Sequence, residues 1–180
     1  RQQQEMATTV RQCSDSLLRM MNDVLDFAQM ESGKLSLQSS PVSPREAVEG
    51  CLNSLAMAAL GKNFELIHRI DPGVPEVVLG DSARLGQVLT NLVSNAIKFT
   101  ASGHVVVCVR PAGASPGRVK LQFEVQDTGI GIAPEQQALI FQPFVQAQDA
   151  TTRRYGGTGL GMSIVARLVD MMGGRIEVQS

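Results

Sequence analysis

The sequence is poor in the side chains that bind transition metals or form disulfides. Its only histidines are His68 and His104, and each lies in a strand-like run without a second ligand at metal-binding spacing. The three cysteines, Cys13, Cys51 and Cys108, are far apart and include no Cys-x-x-Cys pair. These absences argue against a zinc site and a disulfide framework, and they favour a reducing compartment. Because each cysteine falls among periodic apolar residues, we expect buried, structural thiols.

Charge and long apolar runs are scarce as well. Charged residues make up 18% of the 180 residues, and the net charge is −1, so electrostatics give no reason to expect nucleic acid or an anionic membrane as a partner. No apolar run approaches the roughly 20 residues that cross a bilayer, and RQQQEMATTV at the start is not a signal peptide. We expect a soluble protein at the cytoplasmic face, with any membrane anchor supplied by parts outside this chain.

Residues 1–33 have the apolar periodicity of a helix that packs in a bundle. Two adjacent apolar seams run along this helix: Met6, Val10, Cys13, Leu17, Met20, Val24 and Phe27 in the first, and Leu18, Met21, Leu25 and Ala28 in the second. Two seams are wider than a two-stranded zipper needs and favour a four-helix arrangement. Gly33 is the expected C-terminal cap. The helix therefore needs partners that it cannot supply itself.

From residue 34 onwards, helix and strand signals are mixed. Ser43-Pro44-Arg45-Glu46 is a helix start with a capping serine, and Asp81 caps the next helix. Further helices are predicted near 134–140 and from the glycine-rich run at 156–161 to Met172. Strands are predicted at Leu35–Leu37, Phe64–Ile70, 104–110, 118–126 and the chain end, with PAGASPG as a surface loop. Because strands and helices are mixed without strict βαβ alternation, we predict a two-layer α/β sandwich preceded by the long helix.

Three polar side chains follow one line of the helix after Asp81. Asn91, Asn95 and Lys98 are spaced at i, i+4 and i+7, which places them within about 60° on a helical wheel. Asparagine is a weak helix former, so two on one line suggest more than surface filling. Either this is a solvated face, or an amide oxygen binds a hard metal while the lysine faces phosphate.

A glycine-rich run, Gly156-Gly157-Thr158-Gly159-Leu160-Gly161, opens the last predicted helix. Backbone N–H groups at a helix N-terminus suit phosphate oxygens. The spacing is neither the dinucleotide pattern G-x-G-x-x-G nor a Walker loop. By itself the run therefore fits a phosphate cradle or a merely flexible loop.

Asp127-Thr128-Gly129 follows a predicted strand and has two chemical interpretations. Asp-Thr-Gly carries half of the carboxylate pair of an aspartic protease. Alternatively, an ionised aspartate beside glycines accepts a hydrogen bond from a base amino group, and the bare backbone lets the ligand approach. The triplet alone does not decide between catalyst and ligand contact.

Together and in order, these elements resemble the three nucleotide-binding boxes of sensor histidine kinases. They read QVLTNLVSNAIKFT (87–100), DTGIG (127–131) and GGTGLG (156–161), and FQPF (141–144) stands where that family has a phenylalanine box. LLRMMNDVLDFAQMESGKL is similar to the second helix of the dimerisation and phosphotransfer bundle. The sequence of these motifs, including TTRRYGGTGLGMSI, is most similar to that of hybrid kinases, which carry receiver domains. The resemblance implies a partial bundle at 1–33 and, at 34–180, a catalytic domain with the Bergerat-type ATP-binding fold of the GHKL superfamily.

The resemblance also implies an ATP site. Asp127 would accept a hydrogen bond from the adenine amino group, Asn95 would ligate Mg²⁺, and Asn91 and Lys98 would face the phosphates. Residues 145–158 would form a mobile lid, from which Arg153 or Arg154 reaches a phosphate. The complete set of implied ATP-binding residues is Asn91, Asn95, Lys98, Asp127, Gly129, Gly131, Ile132, Phe144, Arg153, Gly157, Thr158, Gly159, Leu160 and Gly161.

The implied reaction is transfer of the γ-phosphoryl group to a histidine on the bundle. Gyrase, mismatch-repair and chaperone ATPases of the wider superfamily have a water-activating glutamate where Asn91 stands, and an asparagine is no general base near neutral pH. Neither histidine of the chain has the acceptor context, and the family's last strand is expected beyond Ser180. We therefore expect part of a longer kinase that does not label itself alone and has reduced nucleotide affinity. A noncatalytic ATP-sensing pseudokinase and a GHKL-type ATPase are the alternatives.

Partners follow from the same resemblance. The bundle helix implies a homodimer. The similarity to hybrid kinases implies a response-regulator receiver domain, either in the same chain or in a separate one. No nucleic acid partner is expected.

Overall fold

The computed structural model describes residues 2–59, 63–145 and 158–180, and its elements confirm an α/β fold preceded by a long helix. The elements are α1 (Gln2–Glu31), β1 (Ser40–Val42), α2 (Pro44–Ala59), β2 (Asn63–Ile70), β3 (Val78–Gly80), α3 (Ser82–Phe99), β4 (Ser102–Ser115), β5 (Arg118–Asp127), α4 (Pro134–Gln137) and α5 (Gly161–Met171). None of the helices in these ranges is both long and apolar enough to cross a membrane.

One helical layer covers a three-stranded sheet. The sheet order is β2-β4-β5, with β2 parallel to β4 and β4 antiparallel to β5, and β1 pairs with β3 in a separate antiparallel ladder. The first core cluster joins α2, α3 and β4. Its buried members are Val48, Cys51, Leu52, Leu89, Val93, Ile97, Val107 and Val109. Cys51 and Cys108 are buried free thiols, as expected.

The predicted helix starts are confirmed by their capping bonds. Ser43 Oγ accepts a hydrogen bond from Glu46 N at 3.3 Å at the start of α2. At the start of α3, Asp81 Oδ1 accepts from Arg84 N at 3.0 Å, and Asp81 Oδ2 accepts from Gln38 N at 2.8 Å. Asp81 therefore fixes both the first turn of α3 and the segment that leads from α1 into the domain.

Among the described residues, helix α1 contacts the domain near its C-terminal end. Met30 is 4% exposed and belongs to a second core cluster. The other buried members of this cluster are Leu35, Val88, Leu160, Ile164, Val165 and Leu168. The apolar seams towards the N-terminus remain exposed, and Leu17 and Val24 are 58% and 51% exposed. The helix ends as predicted, with Gly33 at φ +65°.

Three local predictions are wrong. Leu35 and Leu37 lie in no strand; Leu35 packs instead against the second core cluster, which explains its apolar character. The PAGASPG segment is not a loop, because β4 continues to Ser115 through a register irregularity between Pro111 and Gly113, and only two residues separate it from β5. Glycine at φ +134° permits that irregularity.

The predicted final strand is also absent from the described residues. Residues 174–180 form no strand, because their backbone pairs with no described strand. The chain end is tied instead by a side chain, since Ser180 Oγ accepts a hydrogen bond from Ile132 N at 2.7 Å.

Candidate functional site

The polar line on α3 is half buried beside the second core cluster. Asn91, Asn95 and Lys98 are all only partly exposed. The Nδ2 atom of Asn91 is buried and has no hydrogen-bond partner among the described residues. Partial burial lowers the pKa of Lys98 below its ordinary value, and its ammonium lies 5.0 Å from the centroid of the Phe99 ring. The line is therefore not a fully solvated face.

The Asp127-Thr128-Gly129 triplet packs against the C-terminal end of α3. Asp127 Oδ1 accepts a hydrogen bond from Gly129 N at 2.8 Å, and the Asp127 side chain is exposed. A Cβ on Gly129 would lie 2.7 Å from the carbonyl oxygen of Phe99, so only glycine fits there. Thr128 Oγ1 accepts from His104 N at 3.0 Å and so ties the end of β5 to β4.

Gly131 and Ile132 continue the same turn. Gly131 has φ +72°, which favours glycine, and a Cβ there would lie 3.0 Å from Ser180 Oγ. Ile132 is partly buried, and its N–H is the group that Ser180 binds. No carboxylate of the described residues shares a hydrogen bond with Asp127, so the paired carboxylates of a protease are not assembled in this part of the chain.

The glycine-rich run and the phenylalanine box contact each other. Phe144 N donates to Gly159 O at 3.0 Å, and a Cβ on Gly159 would lie 2.9 Å from the Phe144 carbonyl carbon. Both residues have positive φ, +71° for Gly159 and +63° for Phe144. Positive φ strains a non-glycine residue, so this backbone contact holds Phe144 in an unfavourable conformation.

Leu160 and Gly161 connect the run to α5. Leu160 is 1% exposed in the second core cluster, so its side chain is a packing anchor rather than a ligand contact. Its N–H donates to Thr158 Oγ1 at 3.1 Å. A Cβ on Gly161 would lie 3.8 Å from Asn91 Oδ1. The start of α5 thus stands beside the middle of α3.

Helix α3 therefore brings the three motifs together. The Asp127 turn lies at its C-terminal end, its own polar line runs along one flank, and the start of α5 contacts that flank at Asn91. Arg153, Arg154 and Gly157, which the sequence also assigned to the site, lie outside the described residues.

Sequence reasoning missed the contribution of α1 to this region. Asp23 Oδ2 accepts a hydrogen bond from Thr158 Oγ1 at 3.3 Å, and the Phe27 and Phe144 rings meet edge to face with centroids 5.9 Å apart. The only sequence signal was a pair of acidic residues at i and i+3, Asp23 and Asp26, which lie outside both apolar seams.

A second polar contact lies one turn further along α1. Arg84 Nη1 donates to Asp26 Oδ1 at 3.0 Å, and Gln87 Nε2 donates to Asp26 Oδ2 at 2.7 Å. Both partners of the ion pair are mostly buried, with side chains 24% and 19% exposed. Their charges are therefore less screened by water than those of a surface pair.

Comparison with known proteins agrees with this geometry. Residues 80–180 match the family described as histidine kinase-, DNA gyrase B-, and HSP90-like ATPase. The chain is 42% identical to the signal transduction histidine-protein kinase BarA of Escherichia coli K12, over 99% of this chain and 19% of BarA. It is 43% identical to the sensor histidine kinase GacS of Pseudomonas protegens, over 96% of this chain and 19% of GacS.

A solved structure with a similar fold is that of full-length ShkA in complex with AMPPNP. Its TM-score is 0.78 at 34% identity, over 96% of this chain and 35% of that one. The fold is thus that of a histidine kinase catalytic ATPase domain. The chain belongs to the histidine kinase-, DNA gyrase B-, and HSP90-like ATPase family. It spans about a fifth of the length of the curated relatives BarA and GacS.

Proposed function

We propose that this chain is the ATP-binding core of a hybrid-type histidine kinase, which transfers the γ-phosphoryl group of Mg-ATP to a histidine on a dimerisation bundle. The observation that carries the proposal is the convergence of three motifs on α3. Gly129 touches the end of the helix at Phe99, and Gly161 lies beside Asn91 two turns earlier. A merely flexible glycine loop would not require that packing.

The residues present fit an adenine nucleotide. The Asp127 carboxylate is exposed, and one of its oxygens is already oriented by Gly129 N, which leaves the other to accept from an amino group. Glycine at 129 and 131 keeps the backbone beside that carboxylate bare. Lys98 supplies a cation on the flank of α3 that leads towards the glycine-rich run.

The residues also fit Mg²⁺ held mainly by phosphate. No cluster of three histidine, cysteine or acidic side chains is present in the described ranges, so a cage built from carboxylates is not available there. The Asn95 side chain is partly exposed, and its amide oxygen is a suitable hard ligand. When bound, the ion would neutralise phosphate charge and orient the γ-phosphoryl group.

The nature of Asn91 supports a side chain, rather than water, as the acceptor. Its amide cannot take a proton from water near neutral pH, so the site offers positioning and charge neutralisation instead of general-base catalysis. His68 lies on β2 and His104 on β4, so neither is on a bundle helix. We therefore place the acceptor histidine on a helix that packs with α1.

Exposed seams on α1 support the proposed homodimer. Leu17, Leu18, Met21, Val24 and Leu25 are all exposed, and contiguous exposed apolar seams of this kind are typical of a helix-packing interface. A second copy of the same helix can cover them. A receiver domain, in the same or another chain, would then take the phosphoryl group from the histidine. ATP as donor implies the cytoplasmic face.

Calorimetric titration tests nucleotide recognition. The folded chain should bind ATP and ADP in the presence of Mg²⁺ and should bind GTP poorly, because guanine carries a carbonyl where adenine carries the amino group that Asp127 would accept from. Equal affinity for ATP and GTP, or no binding of ATP by the folded chain, would contradict the proposal.

A further inference from the structure

One face of α1 contacts the region of the candidate site through three residues. Asp23 binds Thr158, Phe27 contacts Phe144, and Met30 is buried in the second core cluster. These positions are spaced at i, i+4 and i+7, so they share one side of the helix. Asp26, between them, is fixed by Arg84 and Gln87. The docked helix therefore carries a carboxylate to the threonine of the glycine-rich run.

We propose that Asp23 is a positioning residue that disfavours triphosphate binding while α1 is docked. It acts by holding the Thr158 hydroxyl away from the phosphate cradle. The inference rests on the proposed function, because it assigns a regulatory contact to the proposed ATP site.

The hydrogen bonds of Thr158 explain why docking of α1 would disfavour triphosphate. A threonine hydroxyl has one hydrogen, and Thr158 donates it to Asp23 Oδ2 at 3.3 Å. The same oxygen accepts from Leu160 N at 3.1 Å, which engages an N–H just before the first turn of α5. Two donors that an anion would use at this helix start are thus satisfied within the protein.

Docking of α1 and binding of triphosphate compete for the Thr158 hydroxyl. Coupling between two binding events is reciprocal, so triphosphate must weaken the docking of α1 by the same factor.

Calorimetry on two charge-matched variants tests this inference. Asp23→Asn keeps the shape of the side chain and replaces the charge-assisted hydrogen bond from Thr158 with a weaker, neutral one, whereas Glu31→Gln removes a charge from the exposed end of the same helix. ATP should bind about fivefold more tightly to Asp23→Asn than to the parent, ADP should gain less, and adenosine should be unchanged. Glu31→Gln should match the parent for all three ligands.

A second measurement tests whether the effect passes through the Thr158 hydroxyl. In a Thr158→Val background the Asp23→Asn gain should shrink, and Thr158→Ser should restore it. Added ATP should also raise amide hydrogen exchange in residues 20–31 of the parent, because nucleotide and docked helix compete.

Failure of the proposed function and failure of this inference give different results. A folded parent that binds neither ATP nor adenosine overturns the proposed function, and the inference with it. A parent that binds ATP as tightly as, or more tightly than, Asp23→Asn leaves the function intact and overturns the inference. An equal gain for adenosine overturns it too, because the effect would then not depend on phosphate.

Discussion

Gly129 lies so close to Phe99 that a side chain of any size would collide with the Phe99 carbonyl oxygen, 2.7 Å from the position of a Cβ. This contact fixes the turn after β5 against the C-terminal end of α3. The carboxylate of Asp127, which is hydrogen bonded to Gly129 N, is thereby placed at the end of the helix that carries Asn91, Asn95 and Lys98.

Replacing Asp127 with asparagine should weaken ATP binding by about 2 kcal/mol, or roughly 30-fold, because a charge-assisted hydrogen bond to the base is lost. The amide oxygen of asparagine still accepts from Gly129 N, so the turn should keep its shape. Calorimetry measures the effect, with Asp170→Asn on the exposed side of α5 as the charge-matched control. Unchanged ATP affinity in a folded Asp127→Asn protein would refute the adenine contact.

Asn95→Ala should remove the dependence of ATP binding on Mg²⁺, because the proposed protein ligand is the Asn95 amide oxygen. Asn95→Asp retains an oxygen at that position and should keep the dependence. The measurement is ATP affinity with Mg²⁺ and with a chelator. If Mg²⁺ enhances binding by the same factor in Asn95→Ala and in the parent, Asn95 is not the ligand.

Self-association should depend on the exposed seams of α1. Leu17→Glu with Val24→Glu places charge on a seam that the domain leaves exposed, and it should yield monomers in sedimentation velocity. Asn22→Glu with Gln29→Glu adds the same charge at exposed polar positions outside both seams and should leave the dimer intact. A parent that sediments as a monomer at micromolar concentration contradicts the dimer.

Local signals predicted much of the fold. The starts of α2 and α3 follow from Ser43 and Asp81, whose side chains cap their own first turns. The apolar pattern at Leu35 and Leu37 led to the wrong prediction of a strand. Leu35 is apolar because it packs against α5, not because it pairs in a sheet. Burial and strand pairing select the same apolar side chains, and sequence alone does not separate them.

The contacts of the candidate site could be predicted only in part, for a related reason. Motif spacing could single out candidate residues on α3 and in the glycine-rich turns, because each motif is short and continuous. The contact between Asp23 and Thr158 joins residues 135 positions apart and has no local signature. The same holds for Phe27 against Phe144. Such contacts depend on how α1 docks, which is fixed by the packing of Met30 in the core.

Acid should weaken the fold through Asp81. Burial alone would raise the pKa of Asp81, but hydrogen bonds from Gln38 N and Arg84 N and the nearby Arg84 guanidinium outweigh burial, and the pKa is lowered from its ordinary 3.8. A lowered folded-state pKa contributes stability above the unfolded-state value, and that stability is lost as pH falls through the folded-state pKa.

The corresponding variant is Asp81→Asn, which keeps an acceptor for Arg84 N but presents an amide nitrogen to Gln38 N. It should lower the free energy of unfolding by about 1–2 kcal/mol at pH 7, and the difference from the parent should shrink below about pH 4. Chemical denaturation at a series of pH values measures this. A difference that stays constant from pH 7 to pH 3 would contradict the role of the ionised carboxylate.

Phosphoryl transfer from γ-labelled ATP tests the central claim most directly. The chain alone offers no general base at Asn91 and no histidine on a bundle helix, so it should release phosphate very slowly and label itself negligibly. Rapid phosphate release by the chain alone would favour a water-using ATPase. The same chain extended at its N-terminus by the preceding bundle helix should acquire an acid-labile, base-stable phosphate on a histidine of that helix. ATP binding without any labelling of the extended, dimeric protein would contradict the kinase account and favour a nucleotide-sensing pseudokinase.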